Sequence, residues 1–458
     1  MDPRHSALPG LLIALVVGLV LAGFGYPDAL AITAGVTALC IVWWIFEPIP
    51  IPVTSLVPLA LMPLFGVLTP AETAQAYGSP LILLLLGGFL LSRGMESSGA
   101  HRRLALAVVN VVGGHSPKRL VLGFMVTGAL LSMWISNTAT VLMLLPVALA
   151  VLSGIEQRAV LAPPMLLGLA WACSIGGIGT PIGTPPNLLF MQVYTETTGV
   201  ELGFTQWMRW AIPVVVIMVP LAWLWLTRSL PGTLSVELPE VGPWRSAEKR
   251  VLAVFALTAL AWMTRAEPFG GWREWLSLPA ANDASVALLA VAVLFMLRDK
   301  RGERVITWQQ ASEIPWGVLL LFGGGICIAK AFVASGLSDL AGEAVLAATE
   351  LPLYGLLLLL CLFVTFLTEA TSNTATTALL MPILAAAAVA GGIEPALLMA
   401  PAAMSASCAF MLPVATAPNA VIFGSGQVPI QRMAKEGFAV NLTGALVIAT
   451  LGYLLLPR

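Results

Sequence analysis

The sequence predicts an all-α polytopic membrane protein of eleven transmembrane helices plus two re-entrant hairpins, arranged as an inverted-topology repeat. Three observations carry that expectation: a composition too apolar for a soluble chain, a placement of basic residues that fixes the number of crossings, and a polar motif that occurs twice. Of the 458 residues, 59% are hydrophobic and only 10% charged, with a mean hydropathy of +0.93; a soluble domain carries about 25% charged residues. Long uncharged runs such as 8–24 and 316–329 recur to the C-terminus, and about 20 apolar residues suffice to cross a bilayer. No sizeable soluble domain is expected.

The first apolar run follows Arg4, but residues 24–28 (Phe-Gly-Tyr-Pro-Asp) lack a small-x-small cleavage pattern, so the run reads as a retained first helix. The five cysteines, Cys40, Cys173, Cys327, Cys361 and Cys408, sit inside apolar segments without a C-x-x-C pair or a histidine cluster, which argues against disulfides and structural zinc. A net charge of −1 gives no basic surface for nucleic acid. No nucleophile with an adjacent base and no His/Glu cluster appears in the apolar segments. An enzyme and an organic cofactor are therefore not expected.

Hydropathy and breakers place spans near 8–25, 28–45, 51–68 and 80–97, an apolar stretch at 120–152, and spans near 162–193, 208–228, 250–265, 283–297 and 316–334. A second long stretch covers 352–390, followed by spans near 394–424 and 437–456. Each long stretch exceeds one crossing and is interrupted by Ser-Asn-Thr. Read as two hairpins with a cytoplasmic N-terminus, the chain keeps 17 of its 22 Lys and Arg on the inner side, as the positive-inside rule requires. Arg209, Arg265, Arg273, Lys330 and Arg458 remain outside or near that face. Five spans separate the hairpins, and an odd number of crossings makes the first enter from the cytoplasm and the second from outside.

The hairpins belong to a longer duplication. Ser-Asn-Thr-Ala-Thr begins at Ser136 and again at Ser372; residues 87–99 (GGFLLSRGMESSG) match 324–336 (GGICIAKAFVASG), with Arg93 opposite Lys330; and GTPPN at 183–187 matches ATAPN at 415–419. Segments 100–112 and 337–348 read as interfacial helices leading into each hairpin. An inverted repeat of broken helices is the architecture in which secondary transporters hold substrate and coupling ions near the membrane midplane. A channel or a membrane-embedded enzyme is the reading from another class.

The motif chemistry fits that setting. Ser, Asn and Thr are good N-caps, and a helix start offers unpaired N–H groups and a partial positive charge to an anion without any Lys or Arg. Two such starts related by a pseudo-twofold axis suit a ligand with two anionic ends. Ser132 lies four residues before Ser136, and Thr368 four before Ser372, so Ser132, Ser136 and Asn137 form one oxygen-rich group and Thr368, Ser372 and Asn373 another. Neither contains a carboxylate, as expected for a monovalent cation and unlike a calcium or magnesium site. Pro181, Pro185, Pro186, Pro413 and Pro418 free backbone carbonyls nearby. Glu369 is the one carboxylate beside a motif and reads as a structural or proton-linked residue. Trp43, Trp44, Trp207, Trp210, Trp272 and Trp275 lie at span ends, where interfacial indoles are expected.

Paired Ser-Asn-Thr hairpins, each followed by a broken helix ending in Pro-Asn, resemble the divalent anion/sodium symporter family over essentially the whole chain; 405–426 (SASCAFMLPVATAPNAVIFGSG) resembles its signature. The resemblance implies a homodimer in the cell inner (plasma) membrane working as an elevator-type transporter. Its scaffold would comprise 1–119 (spans 1–4 and an interfacial helix) and 229–351 (spans 7–9 and an interfacial helix). Its transport unit would comprise 120–228 and 352–458, each a hairpin with a broken helix.

The resemblance also implies one sodium held by Ser132, Ser136, Asn137 and the Gly183 backbone, and a second by Thr368, the Thr371 backbone, Asn373 and the Ala415 backbone. Substrate carboxylates would meet Ser136, Asn137, Thr138, Ser372, Asn373 and Thr374, with Thr184 and Thr416 nearby. The expected activity is sodium-coupled uptake of a C4-dicarboxylate such as succinate, malate or fumarate. The alternatives are a sodium-independent dicarboxylate exchanger, or a sulfate or citrate transporter of the same fold. Ala417 departs from the family's Pro-Pro pair.

Overall fold

The computed structural model describes residues 7–113, 116–153, 158–230, 243–266, 270–338, 340 and 352–457. Among these residues the structure is helical, without a named strand; one isolated antiparallel bridge closes the connection between Arg298 and Arg304. Eight helices are long and apolar enough to cross a membrane, and shorter apolar helices such as Ala7–Gly23, Asn137–Ser153, Asp283–Met296 and Pro395–Ala406 lie between them. Leu8, Leu19, Leu257 and Leu289 point outward, each more than half exposed. In a bilayer such side chains meet lipid, while intrahelical bonds satisfy the backbone.

The two matched segments fold alike for a local reason. Pro80–Ser98 is capped by Ser79, whose hydroxyl accepts from Ile82 N, and ends at Gly99 with φ 76°. Trp316–Ser335 ends at Gly336 with φ 75°. The paired glycines that close the sequence match thus both stop a helix in the left-handed conformation, where glycine has no Cβ to clash.

Each long apolar stretch is a pair of helices with a short break. The first hairpin consists of Pro117–Ser132 and Asn137–Ser153, the second of Leu353–Ala370 and Asn373–Ala390. Each is followed by a helix interrupted midway: Arg158–Gly177 with Pro185–Thr198, then Pro395–Ala406 with Ala417–Gly424. These interrupted helices are central. Residues 161–177 are all buried, as is every residue of Pro395–Ala406, and a helix apolar on all sides belongs in the interior.

Three local expectations change. The span near 51–68 is two short helices, Ile51–Thr54 and Val57–Leu64, because prolines interrupt the run. The last span starts at Ile430 instead of 437. Of the tryptophans, Trp275 is exposed, but Trp44, Trp207 and Trp210 are buried; their indoles pack between helices. The helix Ala100–Gly113 forms as expected, whereas most of its counterpart at 337–348 lies outside the described residues.

Ion pairs fall into two groups. Arg93 pairs with Glu96 and Glu313, Arg103 with Glu248, and Arg228 with Glu436; the charge count assigns all of these to one face. Arg265 pairs with Glu201 at 3.0 Å and Asp283 at 2.7 Å, and Lys330 with Glu196 at 3.6 Å; the charge count leaves both of these cations outside or near that face.

Candidate functional site: two hairpin tips in one cavity

At the first tip, the Ser136 hydroxyl accepts from Ala139 N at 3.2 Å and so caps the second limb. The Ser132 hydroxyl donates to Asn137 Oδ1 across the break. Asn137 is pressed against the end of the first interrupted helix: a Cβ on Gly177 would lie 2.6 Å from Asn137 Oδ1, and one on Gly183 would lie 2.4 Å from the Gly177 carbonyl oxygen. Glycine at both positions lets amide and backbone oxygens approach each other. Ser132, Asn137, Gly177 and Gly183 therefore form one neighbourhood, in which the side-chain donors are a hydroxyl and an amide oxygen.

The second tip repeats the plan. The Thr368 hydroxyl lies 2.9 Å from both Asn373 Oδ1 and the Ala406 carbonyl oxygen, tying hairpin to interrupted helix. Thr371 donates to Leu367 O and shares a bond with the Thr376 hydroxyl. Ser372 occupies the N-cap without a side-chain cap bond, so its hydroxyl is left for another partner.

The unwound segments are closed by the asparagines of the repeated Pro-Asn. Asn187 Nδ2 donates to the carbonyls of Gly177 (3.0 Å), Ile178 (3.3 Å) and Thr180 (2.7 Å). Asn419 Nδ2 donates to Ala409 (3.0 Å) and Leu412 (3.1 Å). Both asparagines are fully buried. The carbonyls freed by the breaks are thus partly satisfied within the protein, which matters because an unpaired polar group in hydrocarbon costs several kcal/mol.

The copies differ in how the breaks are pinned. In the first, Thr180 donates to the Met133 carbonyl, and Trp207 Nε1 donates to Ile178 O at 2.8 Å. In the second, Glu369 accepts from Phe410 N (2.7 Å), Met411 N (2.9 Å), Leu412 N (3.0 Å) and Asn441 Nδ2 (2.7 Å). Glu369 is buried and its oxygens are occupied by these donors, so its geometry is that of a clamp. The helix starts after the two breaks also differ. The Thr416 hydroxyl accepts from Asn419 N at 3.2 Å as a helix cap, whereas Thr184, ahead of Pro185 and Pro186, makes no side-chain cap bond.

Both tips face one cavity of about 1010 Å³. Its walls include Ser136, Asn137, Thr138, Thr184, Ser372, Asn373, Thr374 and Thr416, together with Gly183, Thr371 and Ala415. Ser132 and Thr368 lie fully buried behind their asparagines. The charged lining residues, Glu47, Arg93, Glu96 and Glu313, come from helix ends and connections, and Arg93 is already paired with Glu96 and Glu313. His101 also lines the cavity; burial holds its imidazole below the usual histidine range. Among the described residues, no group of three His, Cys, Asp or Glu side chains gathers as a divalent-metal site, and all five cysteines are free and buried.

Sequence reasoning had no role for Asn187, Asn419 or Asn441, and read Trp207 as an interfacial indole. The first two carried a signal, since Pro-Asn closes both copies of the motif. Trp207 and Asn441 carried none: each acts from the span that follows its interrupted helix, through a contact that only the fold creates.

The chain matches the family described as "Sodium:sulfate symporter transmembrane region" over residues 5–456. It is 39% identical to the "Sodium-dependent dicarboxylate transporter SdcS" of Staphylococcus aureus strain USA300, over 98% of this chain and 92% of that protein. The protein of the same name in strain MRSA252 is similar to the same extent. Among solved structures, the Alcanivorax borkumensis YdaH transporter has a like fold, with a TM-score of 0.57 at 15% identity over 86% of this chain and 89% of that one. A multi-pass helical membrane protein that carries the Ser-Asn-Thr motif twice and matches the family model over nearly its whole length, the chain belongs to the sodium:sulfate symporter family, the divalent anion/sodium symporters that its motifs resemble.

Proposed function

We propose that this protein is a secondary active transporter that couples sodium to the uptake of a C4-dicarboxylate across the plasma membrane. The observation that carries the reading is the meeting of both Ser-Asn-Thr tips in one cavity whose charged residues lie at helix ends and connections. Two helix starts can hold two carboxylates without a basic side chain. Beside each tip, a hydroxyl and an asparagine oxygen lie near backbone carbonyls, the donor set of a weakly held hard cation. The similarity to a sodium-dependent dicarboxylate transporter supports the same cargo and coupling ion.

In this reading eleven spans and two re-entrant hairpins form the inverted repeat, and the N-terminus is cytoplasmic. Residues 1–119 and 229–351 are the scaffold, and 120–228 and 352–458 are the moving unit of an elevator in a homodimer. The cavity opens beside Glu47, Arg93, Glu96, His101 and Glu313, which charge placement assigns to the cytoplasm, so this conformation is inward-facing. Sodium would be held by Ser132, Ser136, Asn137 and Gly183, and by Thr368, Thr371, Asn373 and Ala415. It would supply positive charge beside each tip, lowering the cost of bringing a dianion into the membrane.

Thermal stability of the purified protein tests the ligand class, because a ligand that binds only the folded state raises its apparent stability. Succinate, malate and fumarate are expected to raise the melting temperature in sodium but not in choline. Stabilisation by sulfate or citrate alone would move the assignment to those anions.

A further inference from the structure

The two repeats carry one cation each at matched positions, Arg93 and Lys330, and these cations are engaged differently. Arg93 donates to Gln310 O at 3.2 Å and pairs with Glu96 and Glu313, all on the scaffold side of the proposed division, while it lines the open cavity. Lys330 instead reaches across to Glu196, near the end of the first interrupted helix, at 3.6 Å. Gln192 Nε2 donates to Glu196 Oε1 at 2.8 Å and orients it toward the lysine.

The glycine five residues before each cation contacts the other unit. Gly88 faces Ile182, and its match Gly325 faces Leu189 and Ala378. The helix Trp316–Ser335 therefore lies along Pro185–Thr198 at two points, with Gly325 against Leu189 and Lys330 against Glu196. Arg93, by contrast, lines the cavity.

We propose that Lys330 and Glu196 form the latch that closes the outer path in this conformation. Parting of the pair leaves Lys330 lining the outer mouth, as Arg93 lines the inner one. This rests on the division into scaffold and moving unit proposed above. The two cations then alternate: each faces the cavity when its side is open, and Lys330 binds the moving unit when the outer side is shut. The moving unit cannot rise while the pair is held, and a dianion arriving from outside meets Lys330 only after release.

The test is a reversible tether. Lys330→Cys/Glu196→Cys is reconstituted in proteoliposomes and treated with a short bis-methanethiosulfonate; the five native cysteines are buried, and each single-cysteine variant serves as a control. The double variant is expected to cross-link, to lose sodium-driven succinate uptake completely, and to regain it on reduction, while the treated single variants keep transporting. Cross-linked protein that transports at the untreated rate would overturn the latch, as would failure to cross-link in any combination of sodium and substrate. Wild-type uptake measured alongside separates the two levels: absent uptake contradicts the proposed function, whereas uptake that survives the tether contradicts only the latch.

Discussion

The Thr368 hydroxyl lies 2.9 Å from Asn373 Oδ1 across the break of the second hairpin and 2.9 Å from the Ala406 carbonyl of the interrupted helix, sharing its one proton between the two acceptors. Ser132 and Asn137 make the matching contact in the first hairpin. The asparagine oxygen at each tip is thus held between a buried hydroxyl behind it and the cavity in front. In the proposed function, this one side chain would serve both the cation and the substrate.

Removing either asparagine should therefore affect both ligands. Asn137→Ala and Asn373→Ala are each expected to raise the half-saturating concentrations of sodium and succinate about 10- to 100-fold, equivalent to roughly 1.5–3 kcal/mol for a hydrogen bond to a charged group. Initial uptake rates across sodium and succinate titrations measure this. Wild-type kinetics in both variants would remove the motif from the site.

Gly177 provides a steric test of the same neighbourhood. A methyl group there would sit 2.6 Å from Asn137 Oδ1, whereas one on Gly355 would meet nothing within 4 Å. Gly177→Ala should reduce sodium-dependent uptake by displacing the asparagine. Gly355→Ala should leave uptake intact and add about 0.5–1 kcal/mol of stability, because alanine is less flexible than glycine in a helix.

Asn187 bonds three carbonyls of its break and Asn419 bonds two. Each buried acceptor left unpaired costs about 1–3 kcal/mol. Trp207 still serves the Ile178 carbonyl in an Asn187 variant, so the Gly177 and Ala409 carbonyls are the acceptors most exposed to loss. Both Asn→Ala variants should melt below the wild type in detergent, and wild-type melting temperatures in both would contradict this account of the breaks.

Glu369 is predicted to act as a clamp for the second break. Glu369→Gln keeps one carboxyl-like oxygen but sets an amide N–H against backbone N–H groups, and Glu369→Ala removes every acceptor. Thermal stability should fall in the order wild type, Gln, Ala, with the last losing about 3–5 kcal/mol by analogy with breaking a buried charged contact. An alanine variant as stable as the wild type would contradict the clamp.

Much of this arrangement was legible in the residues. The doubled Ser-Asn-Thr pointed to the breaks, and Asn137 and Asn373 do begin the second limbs. Basic-residue placement put Arg93 inside and left Lys330 outside or near that face, and the two cations take different acidic partners, Glu313 and Glu196. What the residues did not reveal was long-range donation: the bond from Asn441 to Glu369 spans 72 positions, and local pattern carries no information about which span covers a break. The indole belt failed for a related reason. Trp207 ends a hydropathy segment like an interfacial residue, but its N–H answers the Ile178 carbonyl inside the protein.

The most direct test of the central claim is succinate uptake by the purified protein in proteoliposomes, with and without an inward sodium gradient. Coupled symport predicts accumulation that depends on external sodium and collapses when the gradient is dissipated. Uptake of equal rate and extent in sodium-free medium, or uptake that requires dicarboxylate preloaded inside, would contradict it.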